Sequence, residues 1–362
     1  MTLDTTKQNT AIADFLDANG WDGAKLTPLA GDASTRSYMR AQRGSEHAVL
    51  MIAPPAAEAP PCPPGASDEE RRSLGYNACA RLAGPNLSAF VAIAKALKDA
   101  GLSAPKIFAA DISSGFALIE DLGDDLFARV AGQVDEEQLY SASVDVLIAL
   151  RQSPPEIPTS SDYSMLSYDR LALQTEANLL MEWYWPLRKD HSPAADMVAE
   201  FVGIFTAMTS ALSKPSVMAL RDYHAENLLW VPNRTAVQKV GLIDFQDGLI
   251  GSPAYDLVSL LEDARRDVSP DLADKMKKRY TASLSNGDPY DHAQFEIDYA
   301  VLAAQRNAKI LGIFARLAKR DHKPRYLDLL PRVEAHFRRD LARPECAPLN
   351  AFFKKHLPGI AP

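Results

Sequence analysis

The sequence predicts an α+β protein of two lobes, a small antiparallel-sheet N-lobe followed by a larger, mainly helical C-lobe. Three observations carry this. Short apolar runs separated by glycine turns occupy much of the first third of the chain. Helical periodicity takes over after about residue 122. The length of 362 residues suits two units at roughly 150 residues each. The natural boundary is the polar stretch at 120–124, which divides the chain into 1–121 and 122–362.

Residues 9–19 place Ile12, Phe15 and Leu16 on one helical face, closed by Gly20. PLAGDASTRSYMRAQRGSEHAVLMIAPP then reads as a strand, a small-residue turn at Gly31–Ser34, a strand from about Ser37 to Arg43, a turn at Gly44 and a strand from about Ala48 to Ala53. Residues 54–66 hold six prolines, at 54, 55, 60, 61, 63 and 64. Proline lacks a backbone donor, so this segment is a loop. Ser67-x-x-Glu70 is a capping box and starts a helix that ends near Gly84. Ser88 is expected to cap the next helix, with Phe90, Ile93, Ala94 and Leu97 on one face and Gly101 as its stop. APKIFAAD and GFALIEDLG read as two strands.

In the second part, helices are expected over 135–151, 168–184, 194–213, 253–266, 271–284 and 292–319. One hairpin interrupts them, NLLWVPNRTAVQKVGLIDF, with its turn at Pro232–Arg234.

Composition excludes several functions. Lys and Arg number 39 against 47 Asp and Glu, a net charge of -8, so there is no general basic field for nucleic acid or an anionic membrane. No run approaches the roughly 18 apolar residues of a membrane helix. The opening MTLDTTKQNTAIADFL carries acids where a signal peptide is basic and then apolar. Cys62, Cys79 and Cys346 are few, far apart and odd in number, which suits a reducing compartment. A cytoplasmic monomer with no nucleic-acid or membrane partner is expected.

The chemistry concentrates in LRDYHAENLLW at 220–230 and GLIDFQD at 241–247. Asp222 and Asn227 lie five apart, and the hairpin returns the chain to Asp244. Phosphoryl transfer needs a carboxylate to orient the attacking hydroxyl and accept its proton, and oxygen ligands for Mg²⁺. Asp222 suits the first role and Asn227 with Asp244 the second, because strand ends on one side of a hairpin are neighbours. Taken singly, each reads first as a turn or capping residue; their order and flanking strands reverse that in favour of the chemistry.

D-x-x-x-x-N followed by D-F-x resembles the catalytic and metal loops of the bilobal protein-kinase-like fold. The chain resembles the aminoglycoside-phosphotransferase family of small-molecule kinases. It is more similar still to the bacterial anomeric kinases of N-acetylmuramate and N-acetylglucosamine. The residues behind that closer match are GDASTRSYMR at 31–40, VLMIAPP at 49–55, LIEDLGDDLF at 118–127, TEANLLMEWY at 175–184, the two catalytic segments continued through GLIGSPAYDLVSLLEDAR to 265, and QRNAKILGIFARLAKRDHKPRYLDLLPR at 305–332. They span nearly the whole chain. The resemblance implies ATP and Mg²⁺ as cofactors, a sugar as acceptor, phosphorylation at C1 and a place in cell-wall sugar recycling. It puts Gly31, Asp32, Ala33 and Ser34 in the turn that covers the phosphates, where small residues let backbone donors approach. It puts Glu120 and Leu122 in the interlobe hinge that pairs with adenine.

One departure stands out. The third strand reads Val49-Leu50-Met51-Ile52, with Met51 where such kinases carry a phosphate-binding Lys. Arg36 or Arg40 is expected to supply the charge, guanidinium being a good bidentate phosphate ligand; either is also an ordinary surface residue. Asp256, in the first turn of a helix after Ser252, reads as a brace for the catalytic loop, and His224 as packing. On the 168–184 helix, Glu176 and Glu182 with Trp183 and Tyr184 offer carboxylates and aromatic faces to a sugar, or simply form an amphipathic helix. Arg306 and Lys309 share a helix face and would attract an anionic group such as a lactyl carboxylate, or be a solvated face. A kinase of another small alcohol or an aminoglycoside, and a non-catalytic pseudokinase, are the alternatives.

Overall fold

The computed structural model describes residues 2–29, 36–54, 61–84, 86–160, 162–284 and 290–362. The expected phosphate turn, Gly31, Asp32, Ala33 and Ser34, lies outside the described residues, as does 55–60 of the proline-rich loop.

Helix α1 (Thr2–Ala18) begins earlier than its apolar face suggests. It is followed by strands β1 (Lys25–Pro28), β2 (Ser37–Arg43) and β3 (Glu46–Ile52). Helices α2 (Asp68–Leu74), α3 (Tyr76–Ala80) and α4 (Leu87–Asp99) come next, then β4 (Ile107–Asp111) and β5 (Phe116–Glu120). The five strands form one antiparallel sheet in the order β1-β2-β3-β5-β4. Side chains alternate across it. Leu50, Ile52, Phe116 and Leu118 meet Ile12, Phe15 and Leu16 of α1 on one face. Val49, Met51, Ala117 and Ile119 join the central core on the other.

The capping box at Ser67 and Glu70 is present. The single helix expected from there to Gly84 is corrected to two, because Gly75 takes φ 97, which breaks the helical path and suits glycine. Arg71 of α2 is buried and forks onto Asp169, at 2.6 and 3.0 Å, while donating to the carbonyls of Ala78 and Cys79. It thereby ties α2 and α3 to the C-lobe. Asn86, not Ser88, caps α4; its side chain accepts from the Ser88 N–H.

The C-lobe carries α5 (Phe127–Val130), α6 (Glu136–Gln152) and α7 (Arg170–Leu179). A π-helical turn at Leu180–Tyr184 leads into α8 (Trp185–Lys189) and α9 (Ala195–Thr209). The helix expected over 168–184 is thus shorter, capped by Asp169, and widened at its end. There the long helix α12 (His292–Lys319) presses on it: a Cβ added to Gly312 would collide with the Leu179 carbonyl.

Strands β6 (Val217–Ala219), β7 (Leu228–Trp230), β8 (Val240–Leu242) and β9 (Leu249–Gly251) form two short antiparallel pairs, β6 with β9 and β7 with β8. Helices α10 (Tyr255–Leu261), α11 (Pro270–Thr281), α13 (Leu330–Leu341) and α14 (Ala347–His356) complete the lobe with α12. The helix expected over 253–266 shrinks to α10.

The inner face of the sheet, Phe90 of α4 and the C-lobe residues Leu228, Phe245, Tyr255 and Leu302 belong to one buried cluster, so the lobes share a core. A second cluster, with Phe201, Phe205, Phe314, Phe337 and Phe353, fills the far end of the helical lobe. Among the described residues, no helix is long and apolar enough to cross a membrane.

Candidate active site

The loop between β6 and β7 carries Asp222. Asp256, in the first turn of α10, receives the N–H groups of Leu220 and Arg221 at 2.6 and 2.9 Å. This is the expected brace. Burial pushes the Asp256 carboxyl up to about 7 in spite of those two donors. Arg221 sits in the left-handed region, φ 70, a conformation that persists only when its surroundings impose it. Here its buried guanidinium donates to the carbonyls of Ala80 (3.4 Å) and Asp247 (3.2 Å), lies 4.9 Å from the Tyr168 ring and pairs with Glu176. Asp222 is therefore presented by a loop locked from three sides.

The hairpin does what its sequence suggests. Leu228 pairs with Leu242, and the Ile243 N–H donates to the Asn227 carbonyl at 3.2 Å. The Asn227 amide nitrogen donates to the Asp222 carbonyl at 3.0 Å and lies 3.4 Å from Asp244 Oδ2. Asp244 is also left-handed, φ 58. Next to it, Phe245 stacks on Phe90 of α4 at 5.0 Å, which anchors the turn in the shared core. The Asp244 side chain keeps 41% of its accessible surface, so its carboxylate is open to solvent where the hairpin ends. Burial and then the Asp222 charge raise its pKa, while Arg36 and a hydrogen bond from Gln246 (2.8 Å) oppose that.

Arg36 reaches this point. Its guanidinium is 3.5 Å from Asp244 Oδ1 and 3.0 Å from the Gly84 carbonyl, with its side chain nearly buried. Arg40 does not. It forks onto Asp121 and Asp124, at 2.6 and 2.9 Å, and staples β2 to the hinge. In this arrangement its charge is turned to the hinge carboxylates and not to Asp244. Met51 is buried in the core. The Glu120 side chain pairs with Arg234 and accepts from the Lys106 N–H, so it braces the hinge, and Leu122 packs close to Gly241.

The structure places two of the expected sugar ligands, Glu176 and Arg306, inside the protein with partners of their own. Glu176 is 1% exposed, and its oxygens are engaged by Arg221, Lys309 (3.6 Å), Tyr168 and Gln305 (3.3 Å). Arg306 is buried and donates to the Glu262 carbonyl at 3.1 Å. Helical periodicity places both on inward faces but does not say what already fills them. Lys309 donates to the Tyr255 hydroxyl at 2.8 Å. Burial works against its charge, but Glu176, Tyr255 and Asp222 outweigh that and hold the ammonium above its ordinary value. Glu182 remains at the surface; desolvation by the surrounding protein raises its carboxyl pKa, and Asn178 donates to it at 2.8 Å. His224 is buried and neutral, its pKa pushed down to about 3 by desolvation. Its Nε2 lies 3.4 Å from the Asn227 amide nitrogen, so it packs beneath the loop.

Sequence reasoning did not single out Arg221, Gln246 or Tyr76. Arg221 had a usable signal, an arginine directly before the catalytic acid; the other two had none.

Among the described residues there is no cluster of three or more His, Cys, Asp or Glu able to cage a metal. What remains is one carboxylate and one amide in an open cleft. That set fits Mg²⁺, which takes its other ligands from phosphate and water. Asp244→Ala is expected to abolish the Mg²⁺-dependent part of ATP binding. Calorimetric titration with and without Mg²⁺ checks this, and MgATP bound as tightly as by the parent protein removes Asp244 from that role.

A two-lobed kinase-like fold whose cleft presents one candidate base and one hard-cation ligand pair defines a phosphotransferase. The chain belongs to the phosphotransferase enzyme family, whose model matches residues 25–290. It is 44% identical over 363 residues to the N-acetylmuramate/N-acetylglucosamine kinase of Caulobacter vibrioides, with 99% of each chain covered. The kinase of the same description from Pseudomonas putida is 30% identical over 352 residues, covering 94% of this chain and 91% of that one. Among solved structures, the choline kinase LicA of Streptococcus pneumoniae superposes with a TM-score of 0.57 at 13% identity, over 91% of this chain and 99% of that one. ADP-bound aminoglycoside phosphotransferase APH(2'')-Ib gives 0.54 at 14% identity, over 89% and 96%. These two share the fold.

Proposed function

We infer that the chain is a MgATP-dependent sugar kinase that phosphorylates the anomeric hydroxyl of N-acetylmuramate and N-acetylglucosamine. The observation that carries the acceptor class is the end-to-end similarity to a kinase named for both sugars. The two sugars differ at O3, which the lactyl ether of N-acetylmuramate occupies. A kinase that serves both must act on a hydroxyl they share, at C1, C4 or C6. The hemiacetal hydroxyl at C1 is the most acidic of these, which suits a carboxylate base such as Asp222.

Asp222 accepts the hydroxyl proton and orients the oxygen for in-line attack. Asn227 and Asp244 hold Mg²⁺, which neutralises charge on the phosphates when bound. Arg36, beside Asp244, takes the place of the missing third-strand Lys. The backbone of Glu120 and Leu122 receives adenine.

The test compares each free sugar with its 1-O-methyl glycoside and assigns the product by phosphorus–proton coupling. Turnover of the free sugars alone, with phosphate on C1, is expected. Equal turnover of the methyl glycoside, or phosphate on another carbon, would falsify the anomeric assignment.

A further inference from the structure

Helix α12 packs against α7, the π-helical turn and α10, the helix whose Asp256 braces the Asp222 loop. Lys309 and Arg316 lie seven residues apart on one face of α12, two turns or roughly 10 Å. Lys309 stands at the catalytic end, within the electrostatic reach of Asp222. Its charge is committed to Glu176 and Tyr255. Arg306, one turn earlier, is committed to the Glu262 carbonyl.

Arg316 is different. Its guanidinium stacks on the Tyr76 ring of α3 at 5.0 Å. Among the described residues it has no carboxylate within ion-pair distance, and its buried Nε has no hydrogen-bond partner. Asp321, near enough to feel the Arg316 charge, is forked by Arg320 at 2.6 and 3.0 Å. The facing wall is the π-helical turn. Glu182 lies there, close enough for Arg316 to lower its pKa but without a salt bridge to it, and the buried amide oxygen of Asn178 has no partner. A half-buried guanidinium oriented by an aromatic ring, with donors unspent, is a preorganised receptor for a carboxylate. An aromatic wall and an acceptor-bearing wall around it suit a sugar ring.

We propose that Arg316, held on Tyr76, binds the carboxylate of an anionic acceptor and is the residue by which this enzyme favours N-acetylmuramate over N-acetylglucosamine. This rests on the sugar-kinase reading above. The lactyl carboxylate takes the open donors of Arg316 while the reacting hydroxyl stays at Asp222. N-acetylglucosamine has no group to offer Arg316, so its binding does not draw on that charge.

The experiment measures kcat/KM for both sugars at saturating MgATP in the parent enzyme, Arg316→Met and Arg316→Lys. The ratio of N-acetylmuramate to N-acetylglucosamine efficiency is expected to fall about 10- to 100-fold in Arg316→Met, the range for loss of a charged hydrogen bond. The loss is expected to appear in KM for N-acetylmuramate, with Arg316→Lys intermediate. An unchanged ratio, whether both efficiencies hold or fall together, overturns the role of Arg316 and leaves the sugar-kinase reading standing. A parent enzyme active on N-acetylglucosamine alone does the same. A parent enzyme that phosphorylates neither sugar overturns both.

Discussion

Asp222→Asn is expected to lower kcat by about 10² or more, the scale of losing a general base. Nucleotide affinity should change little, because the asparagine leaves Asn227 and Asp244 in place. The fold should survive as well. The loop is held through its backbone by Asp256 and through the buried Arg221 guanidinium, neither of which uses the Asp222 carboxylate. Melting temperature, ATP titration and steady-state turnover together check this. A folded variant with near-normal kcat removes Asp222 from the mechanism.

Glu176→Gln is expected to destabilise the protein by about 3–5 kcal/mol, the range for breaking a buried ion pair by removing one partner. The glutamine keeps the shape but leaves two cations, Arg221 and Lys309, without their shared buried counter-charge. Turnover should fall with stability, since Arg221 holds the loop that presents Asp222. The pH dependence has a definite sign. Burial pulls the Glu176 carboxyl up, but Lys309, Arg221, Tyr168 and Gln305 together outweigh it and hold it below its ordinary value. Its contribution is therefore complete above the ordinary carboxylate range and fades as pH falls through the lowered value. The gap between parent and Glu176→Gln midpoints in denaturant should accordingly be widest near neutrality and narrow in acid. A glutamine variant as stable as the parent at neutral pH would show that the network is not what locks this loop.

Much of the site was legible in the primary structure where the signal is local. The hairpin that joins Asn227 to Asp244 rests on alternating apolar residues around a turn, and its pairing follows from the chain itself. The capping box at Ser67 forms from residues three apart. The brace from Asp256 could be read from an acid in the first turn of a helix just after the catalytic hairpin.

What the sequence did not show about three charged residues has one cause. Arg40, Glu176 and Arg306 are polar residues whose partners come from distant parts of the chain: Asp121 and Asp124 for the first, Arg221 and Lys309 for the second, Glu262 for the third. Residue type and periodicity identify a charge on a given face. They do not reveal whether that charge is already satisfied.

By itself the sequence determined the two-lobed order of strands and helices and the hairpin that brings Asn227 and Asp244 together, because each depends on residue types at short or regular spacing. Only the tertiary structure decided which charges are spent and which are open. Long-range packing brings α3, α7 and α12 together, buries Glu176 between two cations, commits Arg40 to the hinge, carries Arg36 to Asp244 and leaves Arg316 on Tyr76 with donors to offer. Burial sets the cost of an unpaired charge, and burial is a property of the assembled fold.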